Sequence, residues 1–440
     1  MIANYLHFYG GVHPAEDKLA KGNSIQVAPL RETYLVPLQM HIGAPAKLLV
    51  AKGDKVLRGQ MIGEANGFVS APVHSPTSGV IKDVTTALNP TGARIPAVLL
   101  ESDGEDKACE MLEPIKDWQN AETDVLRKRV GEAGVVGMGG ASFPALVKLS
   151  PSKPVDTLII NGVECEPCLT ADHRLMLEHT ERVITGCLIV GRLLNVKEIK
   201  FGIELNKPDA LAKLQEVAKG TKVQICPLHV RYPQGAEKQL IYALTGRKVP
   251  SGGLPMDVGC VVQNVASVAV TAEAICDGKP LYERIVTVTG RPVVNPGNWL
   301  VRVGTRLADL IRLAGGVKED PAKIISGGPM MGFSVYSLDI PVMKNTSGLV
   351  LLSRSEIVQY QSKSCLHCGR CNDACPMQLM PSLLSQIIES GKFDMAEQWH
   401  VMDCIECGCC SYICPAQRPL VQHMRRGKME VTAIRKARKG

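Results

Sequence analysis

Two runs of cysteines near the end of the chain constrain its structure and chemistry more than any other feature of the sequence. Each run has the spacing C-x2-C-x2-C-x3-C and is followed directly by a proline. The first run consists of Cys365, Cys368, Cys371 and Cys375. The second run consists of Cys404, Cys407, Cys410 and Cys414. Three thiolates on one short loop can reach three irons of the same cubane, so this segment is expected to fold around metal.

The spacing is typical of bacterial proteins that hold two [4Fe–4S] clusters, in which the fourth cysteine of each run ligates the other cluster. We therefore predict that one cluster is held by Cys365, Cys368, Cys371 and Cys414. The second cluster is predicted to be held by Cys404, Cys407, Cys410 and Cys375. Four thiolates can also hold zinc, but zinc sites pair two C-x2-C knuckles. Three cysteines crowd each loop here and a proline closes each run, which favours the clusters.

The remaining cysteines give weaker signals. Cys165 and Cys168 form a C-x2-C pair in VECEPC, which is either a ligand or redox pair or, as we favour, a buried structural pair. Cys409 lies inside the second run but off its spacing, so it is predicted to be a spare. Small core residues are the interpretation for Cys109, Cys187, Cys226, Cys260 and Cys276.

Composition excludes several classes of protein. The chain has 440 residues, 45% of them hydrophobic and 21% charged, which indicates a soluble protein of several domains. Aromatic residues make up only 4%, so a stacking surface for single-stranded nucleic acid is not expected. No export signal is visible, and polar Gln263 and Asn264 interrupt the most apolar stretch, so no bilayer span is predicted. Sixteen cysteines without export features favour metal or redox chemistry in the cytosol.

The pattern changes along the chain predict a multidomain α/β protein. Short strands and turns come first, in a small β-sandwich that resembles lipoyl- and biotinyl-carrier domains. Its hairpin tip, Glu64 to Gly67, has no lysine, which excludes a swinging arm. Apolar strands such as 156–160 and 222–228 then alternate with helical stretches, as in a mainly parallel sheet. The predicted units are a lipoyl-like β-sandwich (1–115), a Rossmann-like α/β domain (116–280), a β-grasp module (281–350), a helical two-cluster domain (351–423) and a basic tail (424–440).

A glycine-rich loop is the candidate for phosphate binding. Gly137, Gly139 and Gly140 lie together in GVVGMGGASFPALVK, and exposed N–H groups of such a loop can cradle a phosphate. The loop matches neither a Walker A nor a Rossmann fingerprint, so by itself a plain turn explains it equally well. Its neighbours favour a ligand site, because Asn161, Glu164 and Glu166 follow a strand, at the edge where open α/β sheets bind ligands.

Taken together, motifs over nearly the whole chain resemble those of the RnfC family, a component of the Rnf ion-translocating ferredoxin:NAD oxidoreductase complex. They are GGVHP, VPLQMHIGAP, GMGGASFPALVKL, NGVECEPCLTADHRLM, YPQGAEKQLI, VPSGGLP, VVQNVAS, GGPMMG, PVMKNTSG and the two cysteine runs. The α/β core in turn resembles the flavin- and NADH-binding subunit of respiratory complex I, and the β-grasp module an SLBB domain. The resemblance implies non-covalent FMN, two [4Fe–4S] clusters and NAD(H) as substrate.

The resemblance also implies roles for individual residues, none of them as a proton-transfer catalyst. The FMN phosphate region would be held by Gly137, Gly139, Gly140 and Lys148. The flavin would contact Asn161, Gln263 and Asn264. The nicotinamide nucleotide pocket would be formed by Phe143, Glu164, Glu166, Tyr232, Gly235 and Glu237.

The implied function is that of a peripheral subunit on the cytoplasmic side of the inner membrane. Its partners would be the other Rnf subunits, membrane and iron–sulfur, and indirectly ferredoxin or flavodoxin, with no nucleic acid. NADH gives two electrons as hydride and a cubane accepts one at a time, so a flavin followed by clusters is the expected order. The alternatives are a cobalamin reductase of propanediol-utilisation microcompartments and a non-catalytic electron relay or scaffold.

The basic segment from Met424 to Gly440 has two interpretations. It carries Arg425, Arg426, Lys428, Arg435, Lys436, Arg438 and Lys439 against Glu430 alone. It is either a solvated or disordered end, or a docking element for anionic headgroups or an acidic partner.

Overall fold

The structure is a computed structural model that describes residues 7–110, 112–140, 142–357 and 361–438. Lys439 of the predicted basic tail lies outside these residues. The described residues form four β-sheets and a set of helices that follow the predicted order of modules.

The first module consists of two small antiparallel sheets packed face to face. The strands that open the chain are β1 (Ile25–Val27), β2 (Thr33–Pro37), β3 (Lys47–Leu48), β4 (Lys55–Val56), β5 (Met61–Glu64), β6 (Val73–His74), β7 (Gly79–Leu88) and β8 (Arg94–Ser102). One sheet has the order β2-β8-β7-β4 and the other β3-β5-β6. Val36, Ile62, Ile81 and Leu100 point inward along these strands and share one core.

The second module is a parallel sheet with helices on both faces. Its elements are α1 (Thr123–Glu132), α2 (Ala145–Lys148), β9 (Thr157–Asn161), α3 (Ala171–Glu178), α4 (Thr180–Leu194), β10 (Glu198–Glu204), α5 (Pro208–Val217), β11 (Val223–Leu228), α6 (Glu237–Thr245), a 3-10 turn (Pro255–Val258), β12 (Cys260–Asn264) and α7 (Val265–Cys276). The strand order is β11-β10-β9-β12, with parallel pairing throughout. Most side chains of β9 are buried, as expected for a strand covered on both faces.

Helices α4 and α7 cross at very close range. Gly186 of α4 lies so near α7 that a Cβ at this position would overlap the Val268 carbonyl oxygen. The missing side chain therefore sets the spacing of the helix layer behind the sheet. This packing holds α7 in line with β12, so that the junction between them is fixed at the carboxyl edge of the sheet.

The third module is a mixed sheet with one short helix. Its elements are β13 (Glu283–Thr289), β14 (Gly297–Arg302), α8 (Leu307–Leu313), β15 (Lys323–Ser326), β16 (Phe333–Ser334) and β17 (Gly348–Leu352). The sheet order is β1-β14-β13-β17-β15-β16, so a strand from the start of the chain completes it. Strand β1 pairs in parallel with β14, and Ile25 lies opposite Asn298.

The segment before β2 runs across three other modules, although the sequence pattern assigns it to the β-sandwich unit 1–115. The Gly11 N–H donates to the Ala374 carbonyl, and Val12 forms a bridge with Tyr232. Lys18 reaches the loop after β9, and β1 joins the third module. These contacts join residues more than a hundred positions apart, so no local pattern announces them. The unit boundary stays a prediction.

The last module is helical. Its elements are α9 (Arg370–Asp373), α10 (Pro381–Glu389), α11 (Phe393–Gln398), a 3-10 turn (Val401–Asp403), α12 (Cys409–Ile413) and α13 (Leu420–Ala437). Helix α13 corrects the predicted solvated or disordered tail, because Met424 and Val431 are buried with α10 residues in one core. The density of basic residues outweighs the apolar spacing at helical period in a prediction from sequence. In the described part of the chain, no helix is long and apolar enough to cross a membrane.

Candidate functional site

The carboxyl edge of the parallel sheet ends in a pair of asparagines. Asn161 closes β9 and Asn264 closes β12, and the two residues lie opposite each other in register. Asn161 donates from Nδ2 to the Gly235 carbonyl at 2.8 Å and accepts from the Val163 N–H at 3.2 Å. The predicted flavin contacts therefore converge at the edge where parallel sheets bind ligands.

Asn264 also starts helix α7. Its Oδ1 accepts from the Ala266 N–H at 2.9 Å, which makes it the N-cap. Its Nδ2 donates to Asp172 Oδ2 at 2.7 Å. Burial raises the pKa of Asp172, while this hydrogen bond from Asn264 favours the carboxylate. The amide is thus locked between a helix and a buried acid, and its orientation is fixed before any ligand arrives.

The glycine-rich loop lies directly over Asn264. A Cβ on Gly139 would lie 3.0 Å from the Asn264 Cβ, so this position has little room for a side chain. Gly139 and Gly140 are both exposed, and Gly140 has φ +117° with no heavy atom within 4 Å of a Cβ built there. The loop is closed behind by the Gly137 N–H, which donates to the Phe143 carbonyl at 2.8 Å. An exposed backbone of this kind fits the phosphate cradle that the sequence predicts.

The remaining residues predicted for the phosphate and flavin have mixed placements. Lys148 Nζ lies 3.2 Å from Glu237 Oε1 and 3.2 Å from the Val262 carbonyl, so two predicted site residues form an ion pair. Gln263 is buried in β12. Phe143 is half-buried beside the loop. The structure brings these residues to one edge of the sheet but not to a single surface.

Glu164 is used inside the protein. It has φ +46°, and its two carboxylate oxygens accept from the Asp172 and His173 N–H groups at 2.7 and 3.2 Å, at the start of α3. Burial raises its pKa to about 7, against the opposing effect of Lys18. Lys18 in turn donates to the Glu164, Glu166 and Leu169 carbonyls at 3.1, 3.2 and 2.7 Å. The carboxylate and the lysine together fix the loop after β9.

Glu166 ties this loop to the third module. Its carboxylate accepts from the Met330 and Met331 N–H groups at 3.0 and 2.8 Å, in the GGPMMG turn. Gly328 of that turn packs so closely that a Cβ there would overlap Glu166 Oε2. Burial raises the Glu166 pKa to about 7. Both predicted acidic residues therefore shape the pocket through the backbone that they hold.

Tyr232 connects the sheet edge with the second cysteine run. Its ring is buried, and its hydroxyl donates to the Cys407 carbonyl at 2.8 Å. The neighbouring Gly235 N–H points at Cys165 Sγ, 3.4 Å away. Cys165, Tyr232 and Cys407 belong to one apolar cluster. The two predicted sites, for nucleotide and for cluster, are thus in direct contact.

One cavity is lined by Cys375, Cys404, Cys407 and Cys410. These are the four cysteines that the sequence assigns to the second cluster. The Leu379 N–H donates to Cys375 Sγ and the Glu406 N–H to Cys404 Sγ, each at 3.4 Å, as thiolate ligands of a cluster require. Apolar side chains including Met424 close the cavity. Four thiols around one dry space fit a cubane.

A second cavity is lined by Cys365, Cys368, Cys371 and Cys414. This set again joins three cysteines of one run with the last cysteine of the other. Cys368 is exposed, and Leu366 beside it is 65% exposed, so this cavity lies at the surface. Among the described residues no group of His, Cys, Asp or Glu has the arrangement of a site for a single metal ion. The cavities, each shared by four thiols, carry the cluster assignment.

The other cysteines lie largely where the sequence predicts. Cys187, Cys226 and Cys260 are buried in the α/β core, and Cys276 packs against it. Cys109 is half-buried outside these cores. Cys165 and Cys168 pack in different apolar clusters, and Cys409 is buried near Tyr232. The structure thus supports structural roles for most of them.

The basic residues of α13 mostly have acidic partners within the same module. Arg425 and Lys428 pair with Glu406 at 3.1 and 2.6 Å. Arg435 and Arg438 pair with Glu397 at 2.6 and 3.3 Å. These pairs leave less charge for an anionic surface than the sequence count indicates.

Several residues important for the site carry little or no signal in the sequence. Asp172, Lys18 and Lys207 are all largely buried, and the Lys207 Nζ donates to the Val163 carbonyl at 2.7 Å. Burial lowers the pKa of Lys207. An acid in the first turn of a helix is a weak signal for Asp172. Nothing local marks the two lysines, because their partners are distant in sequence.

Four protein-family models match the chain in its observed order. They are the RnfC barrel sandwich hybrid domain (6–105), the Nuo51 FMN-binding domain (130–273), the SLBB domain (285–334) and a 4Fe–4S dicluster domain (357–415). These matches confirm the predicted fold class and the predicted FMN and iron–sulfur cofactors. They do not test the individual site residues.

Two curated relatives match over nearly their whole length. The RnfC-type component of the proton-translocating ferredoxin:NAD+ oxidoreductase complex of Clostridium ljungdahlii is 47% identical, over 96% of this chain and 93% of the relative. The corresponding component of the Na+-translocating complex of Acetobacterium woodii is 43% identical, over 98% of each. The equivalent protein of the ion-translocating oxidoreductase complex of Erwinia tasmaniensis is 41% identical over 97% of this chain, which spans about half (54%) of that relative.

Among solved structures, an NAD+-reducing [NiFe]-hydrogenase in the H2-reduced state is similar in fold. The TM-score is 0.52 at 18% identity, over 72% of this chain and 65% of that chain. At this identity the similarity supports the architecture alone.

Proposed function

Because the chain belongs to the RnfC family of ion-translocating ferredoxin:NAD+ oxidoreductase (Rnf) complexes, we propose that it is the NADH-handling subunit of such a complex. In this function it exchanges hydride with NAD(H) at non-covalent FMN and passes single electrons through two [4Fe–4S] clusters. FMN supplies the step from two-electron to one-electron chemistry, which neither the nicotinamide nor a cluster can supply alone.

The chain's own residues bind and orient the cofactors. Gly137, Gly139 and Gly140 present backbone to the phosphate region, and Lys148 adds positive charge near it. Asn161 and Asn264 are fixed donors and acceptors at the sheet edge, with Gln263 beside them. An environment that is rigid before binding lowers the cost of ordering the flavin.

The nicotinamide nucleotide is proposed to lie against the same edge. Phe143, Tyr232, Gly235 and Glu237 border it, and Glu164 and Glu166 shape it by holding the loop after β9. Neither acid donates a proton to substrate here, because hydride transfer requires only alignment of the two rings.

The single observation that carries the proposal is the contact between the sheet edge and the cluster loop. Tyr232 donates to the Cys407 carbonyl at 2.8 Å, and Gln239 Nε2 donates to the Pro376 carbonyl at 3.1 Å. We call the cavity of Cys375, Cys404, Cys407 and Cys410 the proximal cavity, and that of Cys365, Cys368, Cys371 and Cys414 the distal cavity. Electrons leaving the flavin would meet the proximal cluster first, and the distal cluster would face the partner.

The partners proposed are the other subunits of the complex, and ferredoxin or flavodoxin through them. The chain would be peripheral, on the cytoplasmic side of the membrane, where NADH is available. No observation favours a cobalamin reductase or a scaffold over this assignment.

The test is anaerobic titration with NADH of protein reconstituted with FMN, iron and sulfide, followed by visible and EPR spectroscopy. The flavin absorption should bleach with about one NADH per chain, and signals of reduced [4Fe–4S] should follow. Protein with clusters but without FMN is the control and should show no cluster reduction by NADH.

Two results would count against the proposal. FMN that fails to bind, or that stays oxidised with excess NADH, would replace the dehydrogenase function with a relay. Reduction of the clusters by NADH in the FMN-free control would remove the flavin from the path.

A further inference from the structure

The glycine-rich loop is held by residues of the third module. We call residues 134–142 the flavin loop. Lys344 Nζ donates to the Gly134 carbonyl at 2.7 Å, and Asn345 Nδ2 donates to the Gly140 carbonyl at 3.3 Å. Adjacent residues of one segment, PVMKNTSG, therefore contact the beginning and the end of the loop.

Lys344 lies at the junction of three modules. It is only 1% exposed, and its ammonium also donates to the Pro72 carbonyl of the β-sandwich at 2.7 Å. Gly134 has φ +65°, and a Cβ there would lie 2.7 Å from Lys344 Nζ. The amine thus takes the space that a side chain at the start of the loop would need.

Burial makes this arrangement costly. It lowers the Lys344 pKa to about 7, and the hydrogen-bond partners of Nζ are backbone carbonyls and not a carboxylate. A buried methionine would fill similar space without desolvating a charge. The contribution of Lys344 is therefore in geometry: it joins two backbone segments from different modules at one atom.

Asn345 acts at the exposed end of the loop. Its amide donates to the Gly140 carbonyl oxygen, which would otherwise be free to turn toward an anionic group bound at the loop. A carbonyl oxygen near a phosphate is repulsive, whereas N–H groups attract it. Occupying this oxygen keeps the loop in the form that presents its N–H groups.

We propose that Lys344 and Asn345 are positioning residues for the flavin site, which fix the two ends of the flavin loop from the third module. The inference rests on the proposed function, since it assumes that FMN is the ligand of the loop. FMN affinity then depends on how the third module docks, although that module contributes no predicted flavin contact.

The test compares Asn345→Ala with Asn23→Ala. Asn23 is a matched control, because its Nδ2 also donates to one backbone carbonyl, that of Pro296 at 2.6 Å, away from the loop. The Kd for FMN is measured anaerobically by fluorescence quenching in flavin-free protein with both clusters intact. Loss of one hydrogen bond is expected to raise the Kd about fivefold in Asn345→Ala and to leave it unchanged in Asn23→Ala.

Two further measurements separate positioning from general stability. Hydrogen exchange of peptides covering the flavin loop, without FMN, should speed up in Asn345→Ala and stay unchanged in Asn23→Ala. Asn345→Asp keeps the shape but loses the donor, and it should weaken FMN binding at least as much. Lys344→Met should have the same two effects if the variant folds, as judged by its iron content.

The outcomes distinguish the two proposals. Loop exchange and an FMN Kd in Asn345→Ala equal to those of Asn23→Ala would overturn the positioning role. If wild type binds no FMN, the proposed function falls, and the exchange measurement still decides whether Asn345 fixes the loop.

Discussion

Replacing Cys375 by alanine tests the most specific feature of the cluster module. Cys375 belongs by sequence to the first run, but it lines the proximal cavity with Cys404, Cys407 and Cys410. Its side chain is buried, with 8% exposure, so solvent cannot readily supply a substitute ligand. Cys375→Ala should therefore remove the proximal cluster and leave the distal cluster in place.

The expected magnitude follows from the ligand sets. Two [4Fe–4S] clusters give about eight irons per chain, and Cys375→Ala should retain about four. Cys404→Ala should give the same iron content and the same EPR spectrum of the remaining reduced cluster. Cys365→Ala and Cys414→Ala should share the other spectrum.

Double variants sharpen the assay. Cys375→Ala with Cys404→Ala should lose no more iron than either single change, because both remove one cluster. Cys375→Ala with Cys414→Ala should lose nearly all iron. If Cys375→Ala instead gives the spectrum of Cys365→Ala, each run holds its own cluster and the reasoning from the cavities is wrong.

Three further predictions concern the site and its surroundings. Gly139→Ala should weaken FMN binding about tenfold, because its Cβ would press against Asn264, whereas Gly22→Ala, with open space around it, should not; equal Kd values would contradict this. Arg418 lines the distal cavity, so Arg418→Met should lower the potential of that cluster alone by on the order of 50 mV, and Arg418→Lys should not; an unchanged redox titration would exclude the effect. Burial raises the pKa of Glu164 to about 7, above its unfolded value, so its contribution to stability is full below about pH 4.5 and is lost as pH rises through 7. Between about pH 5.5 and 8 the wild type should lose about 2 kcal/mol relative to Glu164→Gln, measured as the change in Tm difference, and parallel Tm curves would refute this.

Sequence reasoning succeeded where the signal is local. The spacing of each cysteine run reflects the reach of a short loop around a cubane, so it indicates the cofactor without knowledge of the fold. The predicted strands at 156–160 and 222–228 appear as β9 and β11, and the helix in RLADLIRLAGG as α8. The glycine-rich loop lies at the carboxyl edge of the sheet, next to the end of β12.

The same reasoning was weaker where partners lie far along the chain. The basic tail is helix α13, and Arg425, Lys428, Arg435 and Arg438 have acidic partners that no charge count reveals. Glu164 and Glu166 were predicted as pocket residues, but their oxygens hold backbone N–H groups of α3 and of the GGPMMG turn.

The sequence by itself therefore determined the cofactors, the order of the modules and the type of each sheet, because spacing and periodicity act over a few residues. Only the tertiary structure decided how the modules meet. Tyr232 reaches Cys407, Lys18 reaches the loop after β9, and Lys344 reaches Gly134. Each of these contacts closes a loop of more than a hundred residues, and its entropy cost is offset by the packing of whole modules, which no local pattern records.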